Sequence, residues 1–512
     1  MTSPLATALN PSEVELKFHL PEGSRVLLEC YPALAAVAPA HHHLVSTYFD
    51  TPDRALDRFG LTLRVRWDGE KRIQTVKSRS KGHGVAASRG EWEWPIEQDI
   101  PEVALLSKTP ALAAAACAIK GRLQPAFFTD IRRTTYLLHL DSGTTAEVAF
   151  DEGDIHAGLA REPVSELEIE LKNGGVEPLY RLAGALLSTA PLWLMSESKA
   201  SRGWRLRTGQ GAGAQLKLPL RFKRSLCADA GFRQLFGATL GHLTVNIGPT
   251  LRGDPEGLHQ ARIAIREARA ILQLFDPYLS ADSARRFKEA LRTHGQILGA
   301  ARDWDVFCLE TLPAAMPDLS SERLEDLNAA AQVERQRAHE AVAAALRGRG
   351  FSEMVLGLVC WSDVGALAPS GHDTGLTGRK LSTLASSLLD RASKRVRRRG
   401  RHAGRLSETG RHDLRKSLKK LSLDIEALAP FYGTNAVKRY RRRSEALERI
   451  LGVANDAAVT DGLAHKLVAT NRAALSKPAY ALEHWNRVRG RKALIGLRAA
   501  MRNLRHQPKF WS

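Results

Sequence analysis

The sequence predicts an α+β chain of two domains: a strand-rich antiparallel domain, then an all-α domain of two duplicated helical bundles. Three observations carry that prediction. Residues 12–207 alternate apolar and polar side chains at period two, as a strand with one buried and one polar face does. From about 223 to 506 Ala, Leu, Arg and Glu dominate, and apolar residues recur at spacings of three and four, the pattern of a helix with one apolar face. Charge also steps between the two: residues 1–210 carry 24 Lys+Arg against 26 Asp+Glu, whereas residues 211–512 carry 51 against 29.

The elements follow in order. SEVELKF at 12–18, LTLRVRW at 61–67, IQTVKSR at 73–79, EWEWPI at 91–96, TAEVAFD at 145–151 and SELEIELK at 165–172 alternate and read as strands. Two Ala/Leu-rich stretches, 102–121 and 177–190, read as helices. Residues 208–222, TGQGAGAQLKLPLRF, are Gly-rich and then Pro-containing, which suits a linker between residues 1–207 and 223–506. The helical half is internally duplicated. His259-Gln-Ala-Arg262-Ile-Ala-Ile-Arg266 matches His412-Asp-Leu-Arg415-Lys-Ser-Leu-Lys419 at an offset of 153, and Pro277-Tyr278, Leu298-Gly299, Asp303 and Val306 find Pro430-Phe431, Leu451-Gly452, Asp456 and Val459 at the same offset. Two repeats, about 223–365 and 376–506, are expected, too few for a solenoid.

The whole chain is 512 residues with a net charge of +20 and 44% hydrophobic residues, enough for real cores. A pI near 10 points to a polyanionic partner. Five scattered cysteines (30, 117, 227, 308, 360) without a CxxC argue against a disulfide framework or a zinc site. The N-terminus lacks the basic start and apolar core of a signal peptide, and the longest apolar run, near Ala111–Ile119, is far below the ~18–20 residues of a membrane span. The expectation is a cytoplasmic protein without a membrane partner.

The strand faces carry the chemistry. Glu13, Glu15 and Lys17 share one face and Val14, Leu16 and Phe18 the other. Arg64 and Arg66 oppose Leu63, Val65 and Trp67. Thr75, Lys77 and Arg79 share a face. Glu91 and Glu93 oppose Trp92 and Trp94. Glu147 and Asp151 oppose Val148 and Phe150, and Glu166, Glu168, Glu170 and Lys172 oppose Leu167, Ile169 and Leu171. A charged solvent face accounts for any one strand. Three glutamates in line repel one another, however, and make sense around a hard divalent cation, which takes oxygen ligands. Clustered Arg and Lys make sense around phosphate oxygens. Both sets pointing into one closed barrel would hold Mg²⁺ and a phosphate chain.

At this point the residues resemble a family. Glu13-Val-Glu15-Leu-Lys17 is similar to the ExExK block of the CYTH domain, or triphosphate tunnel metalloenzymes. Tyr48-Phe49-Asp50-Thr51-Pro52, Leu61-Thr-Leu63-Arg64-Val-Arg66, Thr75-Val-Lys77, Arg89-Gly-Glu91-Trp-Glu93, Glu147 to Gly153, Glu166 to Lys172 and Ser198-Lys199-Ala-Ser-Arg202-Gly203 follow in family order. The resemblance implies an eight-stranded antiparallel tunnel with flanking helices and Mg²⁺- or Mn²⁺-dependent hydrolysis of a triphosphate. It implies metal ligands among Glu13, Glu15, Glu147, Asp151, Glu166, Glu168 and Glu170. It assigns phosphate binding to Lys17, Arg64, Arg66, Lys77 and Arg133, with Lys199 and Arg202 as further candidates, and catalytic parts to Glu13, Glu15, Lys17, Lys77, Glu91 and Glu93. Whether Arg132 or Arg133 points inward is left open.

In the helical half, at 100° per residue, His259, Arg262, Arg266 and Arg269 fall within about 80° of one another, opposite Ala261, Ile265, Ala268 and Leu272. The second copy places His412, Arg415, Lys416, Lys419 and Lys420 in a similar sector. A solvated basic face explains one such helix. The further runs Lys394–Arg401 and Lys438–Arg443 are dense enough to be destabilising unless a polyanion neutralises them. Neither histidine has metal-ligand company. These helices resemble the CHAD domain, a conserved-histidine α-helical domain of two repeated bundles. The resemblance implies that the two basic stripes bind inorganic polyphosphate. In the second copy Ser422 stands where Arg269 would map.

The leading expectation is an inorganic triphosphatase whose helical domain holds inorganic polyphosphate, in the cytoplasm or associated with polyphosphate granules. Alternatives are a non-enzymatic polyphosphate-binding or targeting protein, and a triphosphatase acting on thiamine or nucleoside triphosphates. Nucleic acid is disfavoured as a partner, because no aromatic residue interleaves the basic stripes to stack bases.

Overall fold

The structure, a computed structural model, describes residues 14–69, 71–78, 90–209, 213–220, 222–319, 321–365 and 379–511. Glu13, Arg79 and Arg89 lie outside these. The chain forms two compact units. One comprises Met1–Leu216, Leu240–Ala261 and Ala345–Val364; the other comprises Lys217–Thr239, Arg262–Ala344 and Gly365–Ser512. Among the described residues no helix is long and apolar enough to cross a membrane.

The first unit is built on one antiparallel sheet of nine strands: β1 Val14–His19, β2 Ala40–Asp50, β3 Leu61–Asp68, β4 Lys71–Ser78, β5 Glu91–Ile96, β6 Gln124–His139, β7 Thr145–Ala157, β8 Ala160–Asn173 and β9 Trp193–Leu194. Their order is β5-β4-β3-β2-β6-β7-β8-β1-β9. The expectation of eight strands closing on themselves needs correction. Eight strands are long, but a ninth follows, and β5 and β9 are edges among the described residues. The reason is local. β1 pairs with β8 on one side and on the other meets only the two residues of β9. One more ladder bond follows, from the Met195 amide to the Lys17 carbonyl at 3.0 Å, and the chain then enters the helix Lys199–Thr208. That helix and residues 196–198 complete the wall that strands leave open.

The outer, apolar face of the sheet makes the core. Phe49, Leu63, Val65, Val76 and Trp94 pack against Leu106, Leu112, Ala115 and Ile119. Leu106 comes from one short helix, Val103–Ser107, and Ala115 and Ile119 from another, Ala113–Ile119, with Leu112 capping the second, rather than from the single helix expected over 102–121. Pro110 lies between them and cannot donate a helical bond. The helix Val176–Thr189 buries Leu179, Leu182, Leu186 and Leu187. His41, His42 and His43 lie on β2, where His43 bonds Asp130 at 2.7 Å. The segment expected as a linker is tied down where it is described: the Ala214 and Gln215 amides donate to Asp254 and Asn246 at 3.1 and 2.9 Å.

The helical elements repeat at the interval read from sequence. The helices Ala228–Val245 and Leu381–Arg399, Pro255–Leu274 and Glu408–Leu428, and Ala281–Val306 and Thr434–Thr470 each begin 153 residues apart, as do the 3₁₀ turns Asp276–Tyr278 and Ala429–Phe431. In the second unit the two copies share a core in which Trp304, Phe307, Leu312 and Leu327 meet Leu463, Leu467, Leu475 and Leu482. Their charges have diverged. Residues 211–365 carry 19 Lys+Arg against 18 Asp+Glu, and residues 366–512 carry 32 against 11.

Candidate active site

All eight long strands send side chains into one cavity of about 820 Å³. The register arranges the charged residues in rows across β1, β8 and β7: Glu15, Glu170 and Glu147 in one, Lys17 and Glu168 in the next, then His19, Glu166 and Asp151. Strand neighbours on one face lie close enough to interact, so the sequence alternation becomes a two-dimensional cluster.

Its centre is acidic. Asp151, Glu166 and Glu168 are buried, and each offers a carboxylate oxygen within 4.8 Å of the other two. Four cations balance this charge. Lys199 Nζ lies 2.7 Å from Asp151, 2.5 Å from Glu166 and 2.9 Å from Glu168. Lys17 Nζ lies 2.8 Å from Glu168 and 3.3 Å from Glu15. Arg133 donates two bonds of 2.6 Å to Asp151 and one of 2.5 Å to Glu168. Arg202 donates to Glu166 at 2.5 Å and to Glu162 at 2.7 Å. Burial alone would raise the Glu168 carboxyl, but Lys17, Lys199 and Arg133 hold it well below the ordinary carboxylate range. Burial likewise works against a charged Lys199, yet Asp151, Glu166 and Glu168 hold its ammonium well above its usual value. An all-oxygen set at this spacing suits a hard divalent cation. The residues fit such an ion.

The opposite wall is cationic. Arg64, Arg66 and Lys77 line it from β3 and β4. Burial, then Arg64 and Arg133, pull the Arg66 guanidinium down to about 10. Burial would raise the Tyr48 phenol, but Arg64 and Arg66 bring it down. Among the described residues no carboxylate forms an ion pair with Arg64 or Arg66. Their positive charge is therefore available to an anion.

The candidates separate into groups. Glu15, Lys17, Asp151, Glu166, Glu168, Arg133 and Lys199 come together. Glu147 and Glu170 pair instead with Lys172, at 3.4 and 2.8 Å. Glu91 pairs with Lys77 at 2.9 Å, and Glu93 accepts from Thr75 at 3.0 Å. Arg133 faces the cavity, while Arg132 is exposed. Arg202, a candidate substrate binder, is buried behind Glu166 and does not line the cavity, because Glu162, Glu166 and the Pro163 carbonyl engage its guanidinium. Sequence reading missed Trp204 and Arg54, which line the same cavity. The signal for Trp204 was its place two residues beyond Arg202 in a basic helix.

In the second unit the two copies bring Arg262, Arg266, Arg415 and Lys419 into one electrostatic cluster. Burial, then Arg415, Arg266 and Arg262, push the Lys419 amine down to about 8. Asp303 lies 3.5 Å from Arg262, and Asp456 lies 3.9 Å from Arg415. Burial, assisted by Asp456, raises the Asp303 carboxyl. Arg269 lies near Arg292 and Glu289, and Lys420 near Asp424, Arg395, Asp276 and Arg391. Lys416 is exposed, and His412 contacts Asn455 at 3.2 Å. His259 is half-buried near the start of the 255–274 helix.

A sheet-walled cavity with facing acidic and basic sides, joined in one chain to duplicated basic helices, defines a class. Residues 11–204 match the CYTH domain family and residues 234–465 the CHAD domain family, so the chain pairs a CYTH domain with a CHAD domain. The CYTH family is metal-dependent. The inorganic triphosphatase of Haemophilus influenzae is 34% identical over 201 residues, 39% of this chain and 56% of that protein, so the match spans little more than half the relative's length. The CHAD domain of the plant Ricinus communis is similar with a TM-score of 0.49 at 23% identity, covering 58% of this chain and 99% of that one. A Hippeastrum protein described as an adenylyl cyclase candidate with a dominant triphosphatase activity is similar with a TM-score of 0.30 at 21% identity, covering 39% and 96%.

Proposed function

We propose that the sheet-walled cavity hydrolyses inorganic triphosphate to pyrophosphate and phosphate with Mg²⁺ or Mn²⁺, and that the basic helices bind inorganic polyphosphate. One observation carries the first part: Asp151 and Glu168 of the carboxylate cluster and the cations Arg64 and Arg66 line one cavity. Asp151, Glu166 and Glu168 would hold the divalent ion, which supplies charge neutralisation to phosphate oxygens. Arg64, Arg66, Lys77 and Arg133 bind the remaining oxygens and offset the charge that develops on the leaving pyrophosphate. In a loose phosphoryl-transfer transition state this positioning and charge stabilisation is most of the work. Glu93, on the rim beside Thr75, orients the attacking water. Lys17 and Lys199 keep the carboxylates ionised.

The divergent charge of the two copies supports the second part. The Lys438–Arg443 run lies in the first turns of the 434–470 helix, where the macrodipole disfavours cations, so helix electrostatics alone does not account for it. The same charges favour a second reading, a polyphosphate-binding protein without turnover.

The deciding experiment is a phosphate-release screen of tripolyphosphate, ATP, thiamine triphosphate and long polyphosphate, each with Mg²⁺ or Mn²⁺. Release from tripolyphosphate, lost in a folded Glu15→Ala variant, is expected. Polyphosphate retention without release from any substrate supports the second reading. Preferential retention of DNA or RNA over long polyphosphate at fixed salt overturns the polyphosphate assignment, since salt sensitivity alone is common to all polyanions.

A further inference from the structure

We propose that Arg54 is a specificity-determining residue: its guanidinium covers the Trp204 indole at the cavity wall and withholds that face from a nucleobase. The inference rests on the triphosphatase reading and concerns which triphosphates the cavity admits. Among the described lining residues the aromatic side chains are Tyr48 and Trp204. Tyr48 is buried and stacked on Phe127, with ring centroids 4.6 Å apart. Phe127 in turn meets Trp204 at 5.6 Å with planes 80° apart, so a column of three rings fixes the indole. Trp204 is thus the one aromatic surface among the described lining residues that a base could reach.

Arg54 occupies it. Its guanidinium carbon lies 4.6 Å from the indole centroid. One terminal nitrogen donates to Asp57 at 2.8 Å, which holds the guanidinium in place, and Nε is buried without a hydrogen bond. That is the pattern of a group placed for its planar face rather than for its donors. The backbone is built to keep it there. Arg54 has φ 56° and ψ 49°, a left-handed conformation costly to an arginine. The turn is pinned by two buried side chains: Thr51 Oγ1 accepts from the Ala55 amide and Asp50 Oδ1 from the Leu56 amide, both at 2.8 Å. An unsubstituted phosphate chain needs no aromatic platform, whereas a nucleoside triphosphate gains affinity by stacking.

The test uses the full chain and four forms: wild type, Arg54→Gly, Trp204→Leu and the double variant. Glycine adopts φ 56° freely, so the first substitution removes the cover without straining the turn. Arg54→Asn, which also tolerates this conformation, is its control. Two readouts are compared as ratios of ATP to tripolyphosphate, kcat/KM for phosphate release and Kd by calorimetry with Mn²⁺. Loss of one positive charge weakens both anions and largely cancels in a ratio. Expected is an ATP preference about ten-fold higher in Arg54→Gly and Arg54→Asn, the weight of one base–aromatic stack, and its return to the wild-type ratio in the double variant. A ratio unmoved in the folded single variants, or raised equally in the double variant, overturns the proposal. Failure of the triphosphatase reading is distinguishable: no form releases phosphate, while the Kd ratios still decide the role of Arg54.

Discussion

Replacing Glu166 by glutamine tests the cluster most directly. Glu166 is fully buried, with Lys199 and Arg202 each 2.5 Å away and Lys17 at 3.9 Å. At an effective dielectric near 20 each close contact is worth about 6–7 kcal/mol of gross attraction, most of it offset by desolvation. Removing one partner of a buried pair costs about 3–5 kcal/mol. The lower end applies here, because Lys199 keeps Asp151 and Glu168 and Arg202 keeps Glu162. A loss of about 3 kcal/mol in a unit of this size lowers its melting temperature by roughly 6–12 °C. Glu162→Gln, at a partly exposed pair, should cost less than about 1 kcal/mol. Scanning calorimetry of both variants, with and without Mn²⁺, gives the comparison. A divalent ion at 100 times its Kd stabilises the wild type by about 2.7 kcal/mol, and Glu166→Gln should lose most of that gain. A Glu166→Gln transition within 2 °C of wild type, or a full Mn²⁺ shift in the variant, would refute the cluster as a buried, metal-competent site.

Three further outcomes are expected. Asp151 and Glu168 have depressed folded pKa values, so their stabilisation is present above their unfolded values near 4 and lost as pH falls through the folded ones; the first unit should hold its melting temperature from pH 8 to 5 and lose it steeply below about 4, and an acid transition already complete at pH 5 would contradict this. Burial lifts Asp424 to about 7 against the pull of Lys420, Arg395 and Arg391, so stability present below its unfolded value is lost as pH rises through 7; Asp424→Asn should raise the melting temperature of the second unit at pH 8, by at most about 4 kcal/mol of stability, and leave it alone at pH 4. Arg262→Ala with Arg415→Ala should weaken polyphosphate binding at least about ten-fold, as loss of two charge-assisted contacts would, and spare tripolyphosphate hydrolysis; wild-type binding should also decline between pH 7 and 9 as Lys419 loses its proton, and joint loss of both activities in the variant would end the division of labour.

The legible part of this molecule was whatever a period could carry. Alternation at two placed Glu15, Lys17, Glu166 and Glu168 on one face, and the 153-residue offset foretold the start of each paired helix. What alternation could not carry was depth. Glu166 and Arg202 share the acidic centre, but one guanidinium turned behind a carboxylate looks the same in sequence as one turned toward a phosphate. Register was equally silent: Glu170 and Glu147 are directly opposite each other, and Lys172, set two residues along β8, claims both. Arg54 and Trp204 are 150 positions apart, and nothing short of the folded turn brings them together.

The rows across β1, β8 and β7 also constrain how this chain can evolve. Substitution within Glu166–Glu170 changes one charge, but inserting or deleting a single residue there inverts the pleat and delivers Leu167 and Ile169 to the cavity in place of the acids. The tight connection at Gly158 and the fully exposed Leu159 absorbs length freely. Homologous chains should therefore vary in loop size at that hairpin tip while β8 keeps its residue count, making strand length a more stringent inheritance than any one of the side chains it bears.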